Sequence, residues 1–148
     1  LLGCGASGLF ANDNCSAQQR EFAQRVLAAV GITCWVDREL ELDAITALSG
    51  SGPAYFFLLM EAMIDAGIEL GLNREAATRL TLQTGLGSAR MALENAVDIV
   101  ELRRRVTSPG GTTERAVQSF EKEGLRAIVA NAMHAANARA AEMAKEMG

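Results

Sequence analysis

Ser108, Thr112 and Thr113 bracket Pro109, Gly110 and Gly111, and this stretch breaks one helical pattern and starts another at once. Three hydroxyls at this spacing place donors and acceptors around a short piece of backbone. Pro109 has no N–H and restricts Ser108 to extended conformations. Gly110 and Gly111 can take positive φ and let another molecule approach the main chain closely. The first N–H groups of the following helix have no carbonyl one turn back, and the helix dipole adds positive potential there. The chemistry this allows is capture of a small anion such as a carboxylate. A plain helix-to-helix turn with a threonine cap stands equally well on local chemistry.

The surrounding elements must hold that loop. A short helical run from about Val97 to Val106 carries Arg103, Arg104 and Arg105 into it. A helix over 112–122 leaves it and stops at Gly124, and a last helix spans 125–147. Further back, Ser49-Gly50-Ser51-Gly52-Pro53 is expected to interrupt a helix over 39–48 and to start another near Pro53. The first two turns of that second helix, 54–60, are apolar on every side, which implies burial on every side. Counted from Pro53 it is too short, and too charged after Met60, to span a membrane. Glu61, Asp65 and Glu69 fall on one stripe and are read as a solvated face rather than a metal site. Gly71 closes the helix, Asn73 caps the next one to about Asn95, and Gly85 and Gly87 mark a close helix contact within it. Some 110 residues struggle to cover a helix apolar all round, as roughly expected for so small a domain. A second copy of the chain covers it in the expected arrangement, a C2 homodimer.

Residues 1–38 differ in character. Residues 7–11 read as a strand, Asn12-Asp13-Asn14 as a turn, and Ser16 with Gln19 as a capping box. The helix then runs to about Val30, with Gly31 as its stop, and residues 32–36 form a second strand. Two strands do not make an independently stable sheet, so this unit is expected to join a larger one.

Composition sets the outer limits. The chain has 148 residues, 49% hydrophobic but only 5% aromatic, with two prolines and much alanine. That is a mainly helical protein. A net charge of −4 gives no support for nucleic-acid binding. Cys4, Cys15 and Cys34 are odd in number and lack metal spacing, so they read as ordinary thiols in a reducing, cytoplasmic compartment. Leu1-Leu2-Gly3 has no basic n-region of a signal peptide. The chain opens without Met and reads as part of a longer protein. His134 has no partner spaced to join it, and no metal site is expected.

The run Leu102-Arg103-Arg104-Arg105-Val106-Thr107-Ser108-Pro109-Gly110-Gly111-Thr112-Thr113-Glu114-Arg115-Ala116-Val117 resembles the signature of pyrroline-5-carboxylate reductases. Leu48-Ser49-Gly50-Ser51-Gly52-Pro53-Ala54-Tyr55 is similar to a second motif of that family. Gly5-Ala6-Ser7-Gly8-Leu9-Phe10-Ala11-Asn12 resembles its last stretch of cofactor-domain strand. The resemblance covers essentially the whole chain.

It implies a helical dimerisation and substrate-binding domain at 39–148, preceded at 1–38 by the terminal strand–helix–strand of a Rossmann domain. It implies hydride transfer from NADPH or NADH to 1-pyrroline-5-carboxylate, giving L-proline, in a homodimer or larger assembly. No Gly-x-Gly-x-x-Gly fingerprint and no ribose-binding residue are recognised, so the cofactor is expected to bind mainly outside this chain, which alone should be inactive. Thr113 is implied to contact the ring nitrogen, with positioning and proton relay from water as its roles. Ser108, Gly110, Gly111 and Thr112 are implied to hold the substrate carboxylate, with Ser51, Gly52 and Pro53 lining the same cleft. Two other readings remain: a non-catalytic helical assembly domain, and a related dehydrogenase acting on a keto acid. Stabilisation by added proline separates the first. A lysine on the active helix would favour the second, but Lys122 and Lys145 lie elsewhere.

Overall fold

The computed structural model describes residues 2–147. Leu1 and Gly148, the outer ends of the two expected domains, lie outside the described residues. The chain is mainly helical, and it divides into two compact units. One comprises Leu1–Pro53 and Val129–Gly148, the other Ala54–Ile128.

The first unit opens with β1 (Gly5–Leu9), α1 (Ala17–Ala28) and β2 (Gly31–Trp35), the strands being parallel. The capping box forms as expected: the Gln19 N–H donates to Ser16 Oγ at 3.3 Å, and the Ser16 N–H to Gln19 Oε1 at 2.9 Å. The strands start earlier than expected from the sequence. Gly31 is no helix stop; it begins β2 directly opposite Gly5. A Cβ on Gly31 would collide with the Gly5 backbone, so the close pairing itself calls for glycine.

After β2 come α2 (Glu41–Ile45) and a π-helical turn (Thr46–Gly50), which leads into α3 (Gly52–Glu69). The expected interruption at residues 49–53 takes the form of this π turn and a bend at Ser51, and α3 starts at Gly52, near Pro53 as expected, but the chain does not leave the helical course. The Ser51 N–H donates to Thr46 O, five residues back, at 2.8 Å, and this wider ring carries the helix onward. Pro53 needs no N–H partner at the second residue of α3. The Ser49 hydroxyl stands 3.1 Å from Ile45 O and 3.2 Å from Ala6 O, tying the turn to β1. The continuous helical stretch Glu41–Glu69 has 29 residues, so the argument that it is too short for a membrane falls; by length and composition it qualifies.

In the second unit α3 continues and turns back through Gly71 into α4 (Arg74–Glu94), capped by Asn73, whose Oδ1 accepts from the Ala76 N–H at 2.8 Å. A Cβ on Gly85 would stand 2.8 Å from Met60 Cε, which is the close contact expected there; Gly87 faces open space instead. Of the acidic stripe, Asp65 pairs with Arg74 at 3.5 Å. The unit continues with α5 (Ile99–Arg105), α6 (Thr112–Lys122) and the start of α7 (Leu125–Met147). Gly124, in the left-handed region, separates the last two helices as expected.

Little of the apolar content is covered by the chain itself. Among the described residues the buried hydrophobic side chains are Leu9, Ala47 and Ala77. Phe56, Phe57 and Leu58 are 64%, 67% and 67% exposed, so the burial expected around α3 is not supplied from within the chain.

Candidate functional site

The loop between α5 and α6 is built from both ends. The Asp98 carboxylate caps α5, accepting from the Val100 N–H at 2.8 Å. At the other end of α5 the three arginines are all engaged. Arg104 and Arg105 reach Glu101 at 2.6 and 2.9 Å, and Arg103 reaches Glu121 on α6 at 3.1 Å. Arg126 on α7 meets the same Glu121 at 2.8 Å. The two guanidiniums, Arg104 first, hold the Glu101 carboxyl down to about 2. Glu121 is likewise lowered, mainly by Arg126 and then by Arg103. The cations therefore brace the helices that frame the loop. The Thr107 hydroxyl closes the end of α5, donating to Arg103 O at 2.7 Å.

Residues 108–111 then form a β-turn, the Gly111 N–H donating to Ser108 O at 3.0 Å. Pro109 fixes a negative φ at the second position and Gly110 takes φ +73° at the third, which is the type II geometry. A Cβ on Gly111 would stand 3.0 Å from Ser108 O, so that position is also tight.

Gly111 is the N-cap of α6, and it has no side chain with which to cap. The threonine cap weighed in the sequence is therefore not formed. The first helical bond runs from the Arg115 N–H to Gly111 O at 3.3 Å. The N–H groups of Thr112, Thr113 and Glu114 thus stand ahead of the helical ladder. The Glu114 carboxylate reaches back past the cap, and its Oε2 accepts from the Gly110 N–H at 2.8 Å.

Of the sequence-derived site residues, the structure brings Ser108, Gly110, Gly111, Thr112 and Thr113 together in one exposed or half-exposed loop. The Gly110 and Gly111 amides, expected to face a ligand, are occupied by Glu114 and Ser108 O. Ser51, Gly52 and Pro53 belong to the other unit, at the end of the π turn and the start of α3. Glu114 is a loop residue that the sequence reading lacks; its one signal is that a glutamate at the third helical position is half of a capping box.

The sequence also holds glycines at the spacing of a dinucleotide fingerprint, Gly3-x-Gly5-x-x-Gly8, where no such loop was recognised. The structure places Gly5 and Gly8 inside β1, not between a strand and a helix. The Gly5 N–H is taken by Val30 O at 2.8 Å, and a side chain at Gly8 would meet Ile45 and Leu42. Gly5 and Gly8 serve close packing and Gly3 takes a positive φ in open space; inside and before a strand they do not have the strand-to-helix setting of a phosphate cradle.

Comparison with known proteins gives the family and the fold. Residues 39–143 match the family model described as pyrroline-5-carboxylate reductase dimerisation. The pyrroline-5-carboxylate reductase of Pseudomonas aeruginosa is 60% identical over 148 residues, covering 100% of this chain and 54% of that protein. That of Pasteurella multocida is 44% identical, covering 98% and 53%. A solved pyrroline-5-carboxylate reductase from Coxiella burnetii superposes with a TM-score of 0.91 at 50% identity, covering 95% of this chain and 52% of that one. A Plasmodium falciparum pyrroline carboxylate reductase with NADP bound gives 0.82 at 33% identity, covering 92% and 56%. The chain spans about half the length of the curated relatives it matches. It belongs to the pyrroline-5-carboxylate reductase family.

Proposed function

We propose that this chain is the dimerisation and substrate-binding part of a reductase that converts 1-pyrroline-5-carboxylate to L-proline, the last step of proline biosynthesis. The observation that carries the reading is the type II turn feeding a helix start with no N-cap side chain, inside a chain of this family. The substrate carboxylate sits against the N–H groups of Thr112 and Thr113, which lie ahead of the ladder, with Ser108 beside it. Gly110 and Gly111 shape the turn and keep side chains out of the way. The Thr113 hydroxyl meets the ring nitrogen; threonine is a poor acid, so its part is to position the ring and pass a proton from water. Ser51, Gly52 and Pro53 enter the proposal on motif resemblance alone.

NADPH or NADH supplies the hydride when bound. The described residues offer its phosphates no glycine cradle, so we assign its binding mainly to the part of the relatives' length that this chain does not span. In the same reading residues 1–38 complete the nucleotide-binding domain and residues 39–148 form the helical one. The exposed apolar side chains of α3 are covered by a second copy, giving a homodimer. Lipid is the other cover its length allows, but the family match over 39–143 is to a dimerisation region. Exposed free Cys4, Cys15 and Cys34 fit a reducing compartment, and we place the protein in the cytoplasm.

Two measurements test this. L-proline at saturating concentration should raise the melting temperature, because a ligand that binds only the folded state stabilises it. Sedimentation in detergent-free buffer should give a dimer. No proline-induced shift together with a compact monomer contradicts the proposal.

A further inference from the structure

We infer that Glu114 is a positioning residue of the substrate loop, an inference that rests on the reading of that loop given above. The turn over residues 108–111 has one backbone bond of its own, from the Gly111 N–H to Ser108 O. Alone, that bond fixes the shape of the turn but not its attitude to α6. The second tie is the Glu114 carboxylate, on the first turn of α6, accepting from the Gly110 N–H at 2.8 Å. It reaches across the N-cap to the turn's apex, so the turn and the helix start move as one piece. A glycine N-cap has no side chain to make the reciprocal bond, which leaves Glu114 as the side chain joining the two.

Two consequences follow for the ligand. With the Gly110 and Gly111 amides engaged, the N–H groups of Thr112, Thr113 and Glu114 remain ahead of the ladder, and those of Thr112 and Thr113 can take one carboxylate oxygen each. The Thr113 hydroxyl is then held at a fixed angle to those amides. Without Glu114 the turn can pivot, and the amides and hydroxyl no longer converge on one small molecule. Glu114 itself touches no reacting atom in this arrangement.

The test uses the full-length reductase containing this chain, with Glu114→Ala, Glu114→Gln and Thr113→Val measured side by side. Glu114→Ala should raise KM for 1-pyrroline-5-carboxylate about tenfold while kcat and KM for NADPH stay within about twofold. Glu114→Gln keeps an oxygen that can accept from the Gly110 N–H, and it should restore KM. An unchanged KM in Glu114→Ala, with or without a lower melting temperature, overturns the inference and leaves Glu114 as a helix cap only. Glu114→Gln as impaired as Glu114→Ala overturns it too. If Thr113→Val is impaired in either case, the loop remains the substrate site. If Thr113→Val is also unaffected, the underlying reading of the loop is what has failed.

Discussion

Residues 49–53 and residues 107–113 are both Ser/Gly/Pro stretches between helices, yet one carries a helix onward and the other stops it. In the first the glycines precede the proline. Gly50 and Gly52 keep right-handed backbone, the ladder widens to the Ser51–Thr46 bond, and Pro53 falls where a helix needs no N–H. In the second the proline precedes the glycines. Pro109 and Gly110 complete a type II turn whose φ of +73° at Gly110 has no place in a right-handed helix. What breaks a helix here is one residue in the left-handed region, and residue order decides whether the chain gets there.

The sharpest way to break the comparison is to exchange glycines for larger residues in both places. Gly110→Val puts a β-branched residue at positive φ, at a cost of roughly 1–3 kcal/mol. Substrate binding should fall with it, by more than about tenfold in kcat/KM of the full-length enzyme. Gly50→Ala should be neutral or stabilising by up to about 1 kcal/mol, since a helical alanine is preferred to glycine. Its Cβ would meet Thr46 Cγ2 at an ordinary 3.6 Å. Denaturant midpoints of the two variants decide; equal losses would remove the distinction drawn between the stretches.

A smaller effect is expected from Ser49→Ala. Its hydroxyl reaches both Ile45 O and Ala6 O, so removing it should cost about 0.5–1.5 kcal/mol and speed amide exchange in β1. Exchange rates in β1 matching those of the unaltered chain would show that the hydroxyl does not tie the π turn to the strand.

The smallest effect concerns acid. The Ser49 hydroxyl ties the π turn to β1, whereas the approach to the proposed substrate loop is braced by ionised Glu101. Its carboxyl is lowered from 4.5 to about 2, so the contribution is full above pH 4.5 and disappears as pH falls toward 2. The carboxylate is half-exposed, so salt should weaken this contribution further. The Glu101 carboxyl resonance should titrate near 2, and Arg104→Ala should move the midpoint upward. A midpoint unmoved by Arg104→Ala contradicts the ion-pair cause.

Much of this was legible in the residues. Ser16 with Gln19, and Asn73, announce helix starts because their side chains supply the missing local acceptors. Gly71 and Gly124 announce ends because both take positive φ. The loop at 107–113 was visible because Pro109 and Gly110 fall in the order a type II turn needs.

Other features depend on long-range or unusual pairing. The π turn looks like a break locally because Ser, Gly and Pro punctuate chains, and only the five-residue Ser51–Thr46 bond shows how the helical course is kept. The strands were displaced because Gly5 and Gly31 look like punctuation locally; only across the sheet does their lack of a side chain become the reason they pair. Glu114 carries little signal in the sequence because a capping box has a serine or threonine at its first position, and Gly111 stands there instead.

The central claim is that the helix start at Thr112 and Thr113 receives the substrate, with the Thr113 hydroxyl against its ring nitrogen. Thr113→Val keeps the shape and β-branching and removes the hydroxyl. Steady-state kinetics of the full-length enzyme should show kcat/KM lower by roughly ten- to more than a hundredfold, the loss of a contact worth about 1.5–3 kcal/mol to a group gaining charge. Thr112→Val, whose contribution is its backbone N–H, should lose clearly less. Equal losses in the two variants, or no loss at Thr113, would contradict the account and assign the nitrogen contact elsewhere.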